Sequence, residues 1–458
     1  MNTVHKRQIV RKEEAGFALP SILFLITILS LVALSVVMLH FLQQRTASLD
    51  LARVRAQYAA QSGINELLAQ QTSLASIAIN TPLEFSYSYN SKATVTLTRW
   101  GSFFLVLSTG VSGAVTTNAA AIAADHPSGS FDNALVFANP NHQLVCAGTT
   151  SITGNVLTGK SGVTTGTLQN VPTPRTLPVS GKVSKQSDIS LPSFRSTELQ
   201  SDMNEWDKLL TAAASGGASD STTLYFRGSP TILQPEMIAA SISTIFINGD
   251  VVLQGQHKRL ERPLTIAATG NVSFSDGTTI SGLVKILAGK QVTIPSGVEF
   301  DAPIVYSQTA IELQSNQLRA QFFAPSIIMR ANSAARYPSV VVSPQIQTKH
   351  PPKNQIMMES GSRLEGSMLF LAPAADTCLA TIKDGARIVG SLYSTGYVTL
   401  DGSVDGTVIT NEFYFYQSPT TYFGWMRSAK INRTVLSKSY LVPPGFSDSP
   451  KLDVLDWL

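Results

Sequence analysis

A run of about 26 residues, Phe17 to Leu42, carries no Lys, Arg, Asp or Glu. Read as helix at 1.5 Å per residue it is roughly 39 Å long, enough to cross a bilayer with some tilt. No other feature of the 458-residue chain restricts its fold and surroundings as strongly. Ahead of the run lies a polar stretch, Met1 to Gly16, holding Lys6, Arg7, Arg11 and Lys12. Basic residues before a span keep its start in the cytoplasm. The remainder of the chain is therefore expected outside the inner membrane, although Arg45, Arg53 and Arg55 behind the run weaken the asymmetry. A secretory signal is cut behind its apolar part, at small residues. Here the small residue Gly16 stands in front, so a cut would leave the apolar helix on the mature protein.

The order of basic leader, Gly16, Phe17, Ala18, Leu19 and apolar helix resembles the N terminus of type IV pilins and of the pseudopilins of type II secretion. The resemblance implies a prepilin peptidase that cuts between Gly16 and Phe17 and methylates the new amino terminus. It also implies assembly with other pilin-like subunits through a helical segment containing Leu19, Pro20, Ser21 and Leu25. Pro20 suits this physically, because a proline in the first helical turn lacks only an N–H that has no partner there. Most such pilins carry Glu at the fifth mature position, where this chain has Ser21, and no acidic residue follows before Asp50. A buried amine without a counter-charge is costly. Within the family, that departure combined with large size resembles a tip or initiating minor subunit.

The stretch ARVRAQYAAQSGINELLAQ resembles the second half of a minor-pilin helix. Leu51, Val54 and Tyr58 share one helical face, and Ala60, Ile64, Leu67 and Leu68 share another. One helix is expected from Phe17 to Gln71, roughly 80 Å long. Residues 72–125 then alternate as short strands (FSYSYN, ATVTLTRW, SFFLVLSTG and SGAVTTNAAAIAA), with a tight turn at Trp100-Gly101. Residues 126–221 mix strands, a Pro/Ser/Gly-rich connection and a short helix from about Ser201 to Ser215, capped by Ser201 and stopped at Gly216 and Gly217.

From residue 222 the chain repeats itself. Segments beginning at Ile245, Leu264, Val284 and Ile304 align without gaps at a spacing of about 19 to 20 residues, the period of a solenoid. Phe322-FAPSIIM and LYSTGYVTL at Leu392 to Leu400 continue them. A second motif, aliphatic-x-Gly-x-aliphatic, is centred on Gly154, Gly282, Gly366, Gly390 and Gly406. Stacked short strands with glycine at their corners account for both patterns. The expected fold is therefore α+β followed by all-β. It comprises a leader (1–16), a pilin-like helix (17–71), a small antiparallel sheet (72–125), a mixed region (126–221) and a right-handed-type parallel β-helix (222–416) from which Thr348 to Gln355 loops out. A tail (417–458) is expected to pack back as a cap.

The chain is 43% apolar and 14% charged with a formal net charge of +4, which gives no footprint for nucleic acid. Cys146 and Cys378 are either paired across an oxidising compartment or two separate core residues. No Cys/His cluster has metal-ligand spacing, and no cofactor is expected. His126, His142, His257 and His350 fall in loop-like sequence and receive no role. Glu299 and Asp301 share a strand face and are the best pair for acid/base work; Asp401 and Asp405 around Gly402 form a loose calcium-like pair. No phosphate loop or nucleophile elbow occurs, so a structural rather than catalytic protein is expected. A surface or polysaccharide ligand is open. Two further readings stay open: a membrane-tethered scaffold polymerising through its solenoid, similar to bactofilins, and a tethered polysaccharide-active enzyme.

Overall fold

The computed structural model describes residues 18–70, 79–127, 129–168, 171–217, 219–345, 354–373, 378–447 and 450–458. A single helix, α1 (Ala18–Gln70, 53 residues), opens the described chain. The expected ends Phe17 and Gln71 lie outside the described residues. Strands β1 (Leu83–Tyr87), β2 (Ser91–Trp100), β3 (Phe103–Ser112) and β4 (Val115–Asp125) follow as an antiparallel meander. Gly101, at φ +63°, turns the chain between Trp100 and Phe103, which pair directly.

Both faces of this sheet are apolar, and both are covered. Ala93, Val95, Leu97, Phe104 and Val106 face the second half of α1, where Ala60, Ile64, Leu67 and Leu68 are buried as the helical period predicts. The helix lies close on the strands: a Cβ on Gly110 would sit 2.0 Å from the carbonyl oxygen of Ala56. Trp100, Phe103, Leu105 and Ile122 face the opposite way, into the larger domain.

That domain is a parallel β-helix. Its inner ladder runs in register through Leu224, Ile245, Ile266, Ile286, Val305, Phe322, Val341, Met368, Leu392 and Val408. Each such side chain contributes about 1.5–3 kcal/mol relative to exposure. A second ladder on another face passes through Ile280, Phe300, Leu318, Ala335, Leu364, Ile388 and Val404. The glycine motif sits at a corner. Gly366, Gly390 and Gly406 stack on one another. A Cβ on Gly390 (φ +142°) would meet the Gly366 carbonyl oxygen at 2.0 Å, so only glycine fits. Among the described residues around the expected loop, Asn354 is buried and donates to Ser343 Oγ and the Pro344 carbonyl; residues 346–353 lie outside the description.

Four expectations are corrected. The gapless alignment holds for Leu264, which stacks on Val284, but is out of register on either side: Ile245 stacks on Ile266 rather than Leu264, and Ile286 on Val305 rather than Tyr306. The reason is that Ile304 is buried on the outer face and Val305 on the inner one, so alternation does not mark the inside. The solenoid also takes in chain from the mixed region. Leu135–Phe137 pairs with Val408 to Thr410, Ser151–Thr153 pairs with Lys430–Asn432, and Val179–Ser180 and Val183–Lys185 form the last rung. The tail supplies rungs at Trp425–Arg427 and Lys430–Asn432 and then leaves the solenoid. Its last strand, Leu452–Trp457, joins the small sheet as the antiparallel neighbour of β4 instead of capping the β-helix. The short helix, α2, spans Ser196–Ser215; its N-cap position is Arg195, with no side-chain cap, and not Ser201. Its apolar stripe already starts at Leu199 and continues through Met203, Trp206 and Leu210, which fixes the earlier turn. Gly216 ends it at φ +72°, as expected.

Candidate assembly helix and its junction with the head

The first half of α1 is exposed and packs against no other element among the described residues. Leu19 is 69% exposed and Leu25 60%, and Pro20 and Ser21 are exposed beside them. Pro20 falls in the first described turn. Thr27 and Ser35 donate their hydroxyls to the carbonyls of Leu23 and Leu31 one turn back, which satisfies these polar groups inside the helix. By length and composition this segment can cross a membrane. Gly16 and Phe17 lie outside the described residues. Leu51, Val54 and Tyr58 remain exposed on the side of α1 turned away from the sheet.

The sheet is locked to the β-helix through the Trp100-Gly101 turn. Trp100 Nε1 donates to the Ala302 carbonyl at 3.3 Å, Ser102 N–H donates to Gln321 Oε1 at 2.7 Å, and Gln321 Nε2 returns a bond to the Trp100 carbonyl at 2.9 Å. Arg99 reaches α2, pairing with Glu198 and, at 3.1 Å, with Asp202. Lys285 lies 5.1 Å from the Trp100 ring centre. Burial pushes the Lys285 ammonium below the usual lysine range, against the pull of Asp202 and Glu205. Burial likewise raises Asp202, against the Arg99 charge. These groups line a cleft of about 330 Å³ between sheet, α2 and solenoid. Arg319 adds a tie from the solenoid to the C-terminal strand, pairing with Asp301 and, at 2.7 Å, with Asp456.

The acids singled out from sequence are not brought together. Asp301 is engaged with Arg319, while Asp401 pairs with Arg427 and Asp405 with Arg387. Glu299 is exposed on the strand face that Asp301 shares. Cys146 and Cys378 are both buried in the solenoid core and form no disulfide; burial pushes the Cys146 thiol up to about 12. His126 pairs with Asp453 at 3.2 Å. His257, expected in a loop, is buried in the strand Gln256–Ala268. His350 lies outside the described residues. Among the described residues no His, Cys, Asp and Glu cluster could hold a metal ion.

No family model and no curated protein matches the chain. Among solved structures, the competence-associated pilin ComZ from Thermus thermophilus aligns over 89% of this chain and 97% of its own, at 13% identity and a TM-score of 0.17. At that score the superposition carries no argument for fold or function.

Proposed function

We propose that this protein is a structural, minor-pilin-like subunit of a type IV pilus or a type II secretion-like pseudopilus. One observation carries the reading. A single helix has an uncharged, fully exposed first half, and a second half fixed by small residues against an antiparallel sheet. Its first half then lies in the inner membrane before assembly and among the helices of neighbouring subunits afterwards. The β-helix is the head, held outside the membrane by the same rod. A prepilin peptidase is the processing partner, acting at Gly16-Phe17. The role is taken to be non-catalytic, supported by the pairing of Asp301, Asp401 and Asp405 with arginines.

The test is Gly16→Leu in cells that carry a prepilin peptidase. Under this reading the variant keeps its leader and migrates as the longer species, while the parent is shortened. Identical lengths for the two proteins would contradict it.

A further inference from the structure

The head carries an exposed aromatic cluster that assembly through α1 does not use. The strand Ser403–Gln417 runs beyond its rung and folds back through Thr420–Phe423 as an antiparallel hairpin. Across that hairpin Tyr414 pairs with Phe423, and Tyr416 with Thr421. Tyr397, on the neighbouring strand, stacks on Tyr414 with ring centres 5.5 Å apart and planes 7° apart. Phe423 meets those two rings edge-on at 5.7 and 5.9 Å. Tyr416 is 56% exposed and Phe423 36%. The rings hold one another in place, so they form a rigid surface and not a loose patch.

A polar device stands beside the rings. His142 stacks on Phe423 at 5.7 Å. Its Nδ1 lies 2.5 Å from Glu412 Oε2, and Asn139 Nδ2 donates to the same oxygen at 2.6 Å. Asn139 Oδ1 in turn accepts the backbone N–H groups of Asn141 and His142. Glu412 is only 2% exposed, and its Oε1 has no hydrogen-bond partner. Burying a carboxylate in this way is costly, and a residue needed only for packing would be apolar. What it achieves is orientation. A carboxylate at Nδ1 holds the imidazole proton there and leaves the lone pair on Nε2. The His142 side chain is 43% exposed, and Nε2 makes no hydrogen bond within the described chain.

The surroundings select the ligand class. Asp401 is paired with Arg427, and the Glu412 carboxylate is buried behind His142, so these residues present no uncompensated cation. A surface without uncompensated cations does not attract polyanions or acidic lipid. Flat aromatic faces beside one oriented neutral acceptor suit a ring that is apolar on its C–H face and hydroxylated at its rim. We propose that Tyr397, Tyr414, Tyr416, Phe423 and His142 form a binding site for an uncharged glycan. A sugar ring lies on the aromatic faces, and one hydroxyl donates to His142 Nε2.

The test is calorimetric titration of the full-length protein in detergent with cellohexaose and chitohexaose, with polygalacturonate as the acidic comparison. The expected result is binding of at least one neutral hexamer and none of the acidic polymer. Tyr416→Ala should weaken it about tenfold, a change of the size that the loss of one aromatic contact produces. His142→Phe keeps a ring but removes the acceptor, and should weaken binding by a smaller but measurable factor. Thermal melts will show that the variants are folded: Tyr416→Ala leaves the melt unchanged, and His142→Phe, which takes a partner from buried Glu412, lowers it without abolishing the cooperative transition. Failure of both neutral hexamers to bind overturns the proposal, as does equal binding of polygalacturonate or indifference to both substitutions. None of these outcomes depends on whether the leader is cleaved.

Discussion

The solenoid and the first half of α1 use the same kinds of side chain in opposite ways. In the solenoid, Ile245, Ile266, Ile286 and Val305 each stack on the next rung, and the chain satisfies itself. In α1, Leu19, Leu25 and their neighbours face outward all round the helix, and nothing among the described residues covers them. A water-exposed stretch of that kind is unstable unless lipid or other helices surround it. The difference separates a self-sufficient head from a rod that is complete only in company. The sheet between them serves both, with one face for α1 and the other for the head.

That contrast can be broken at either end. The largest effect is expected at the solenoid corner. Gly390→Val drives a side chain into the Gly366 carbonyl and should cost about 3 kcal/mol or more. Thermal denaturation would register it as loss of the folded head, and an unchanged melting temperature would contradict the stacked-corner account. Next is Leu25→Arg, about a third of the way into the run, where the cost should approach the roughly 2.5–3.5 kcal/mol of a charge at the centre of a span. Cell fractionation should find less protein in membranes while the melting of the head stays the same. A fall in head stability would mean that the two regions are not independent. A smaller effect is expected from Arg319→Ala, which removes the tie to Asp301 and Asp456. With Asp301 half exposed, the loss should be about 0.5–1 kcal/mol. It should show first as faster hydrogen exchange along Leu452–Trp457.

The subtlest expectation concerns pH. Burial holds the His257 imidazole below its ordinary value, opposed by its bond to the Gln254 carbonyl and by Glu236, and reinforced by Arg259. The unfolded chain therefore takes up this proton before the folded one does. The stability is complete above the ordinary imidazole range and declines as pH falls through it. Melting temperatures measured from neutral to mildly acidic pH should fall, and His257→Gln should flatten that decline. An equally steep decline in the variant would assign it to other groups.

Much of this organisation was legible in the residues, and the exceptions have physical causes. The uncharged run, the helical faces of α1 and the repeat period each depend on local spacing, and each reappears in the fold. Register did so only in part: Leu264 stacks on Val284 and the motif glycines on one another, but the outer face of the solenoid is itself buried under α2 and the sheet, so Ile304 and Val305 look alike in sequence. The rung formed by Leu135–Phe137 has its partner near Val408, far away in the chain, and no short-range pattern announces such a pairing. For the same reason Leu452–Trp457 read as a cap and not as a sheet strand. The His142–Glu412 pair is separated just as widely. The cluster of Tyr414, Phe415, Tyr416, Tyr422, Phe423 and Trp425 was the one available signal for that site.

The account rests on a rod that keeps its apolar front after processing. The most direct measurement is the mass of the amino-terminal peptide from protein extracted out of membranes of the native organism. The expected peptide begins at Phe17 and carries one methyl group on its amine. A peptide beginning at Met1 would contradict the pilin-like reading and leave the head without its proposed means of assembly.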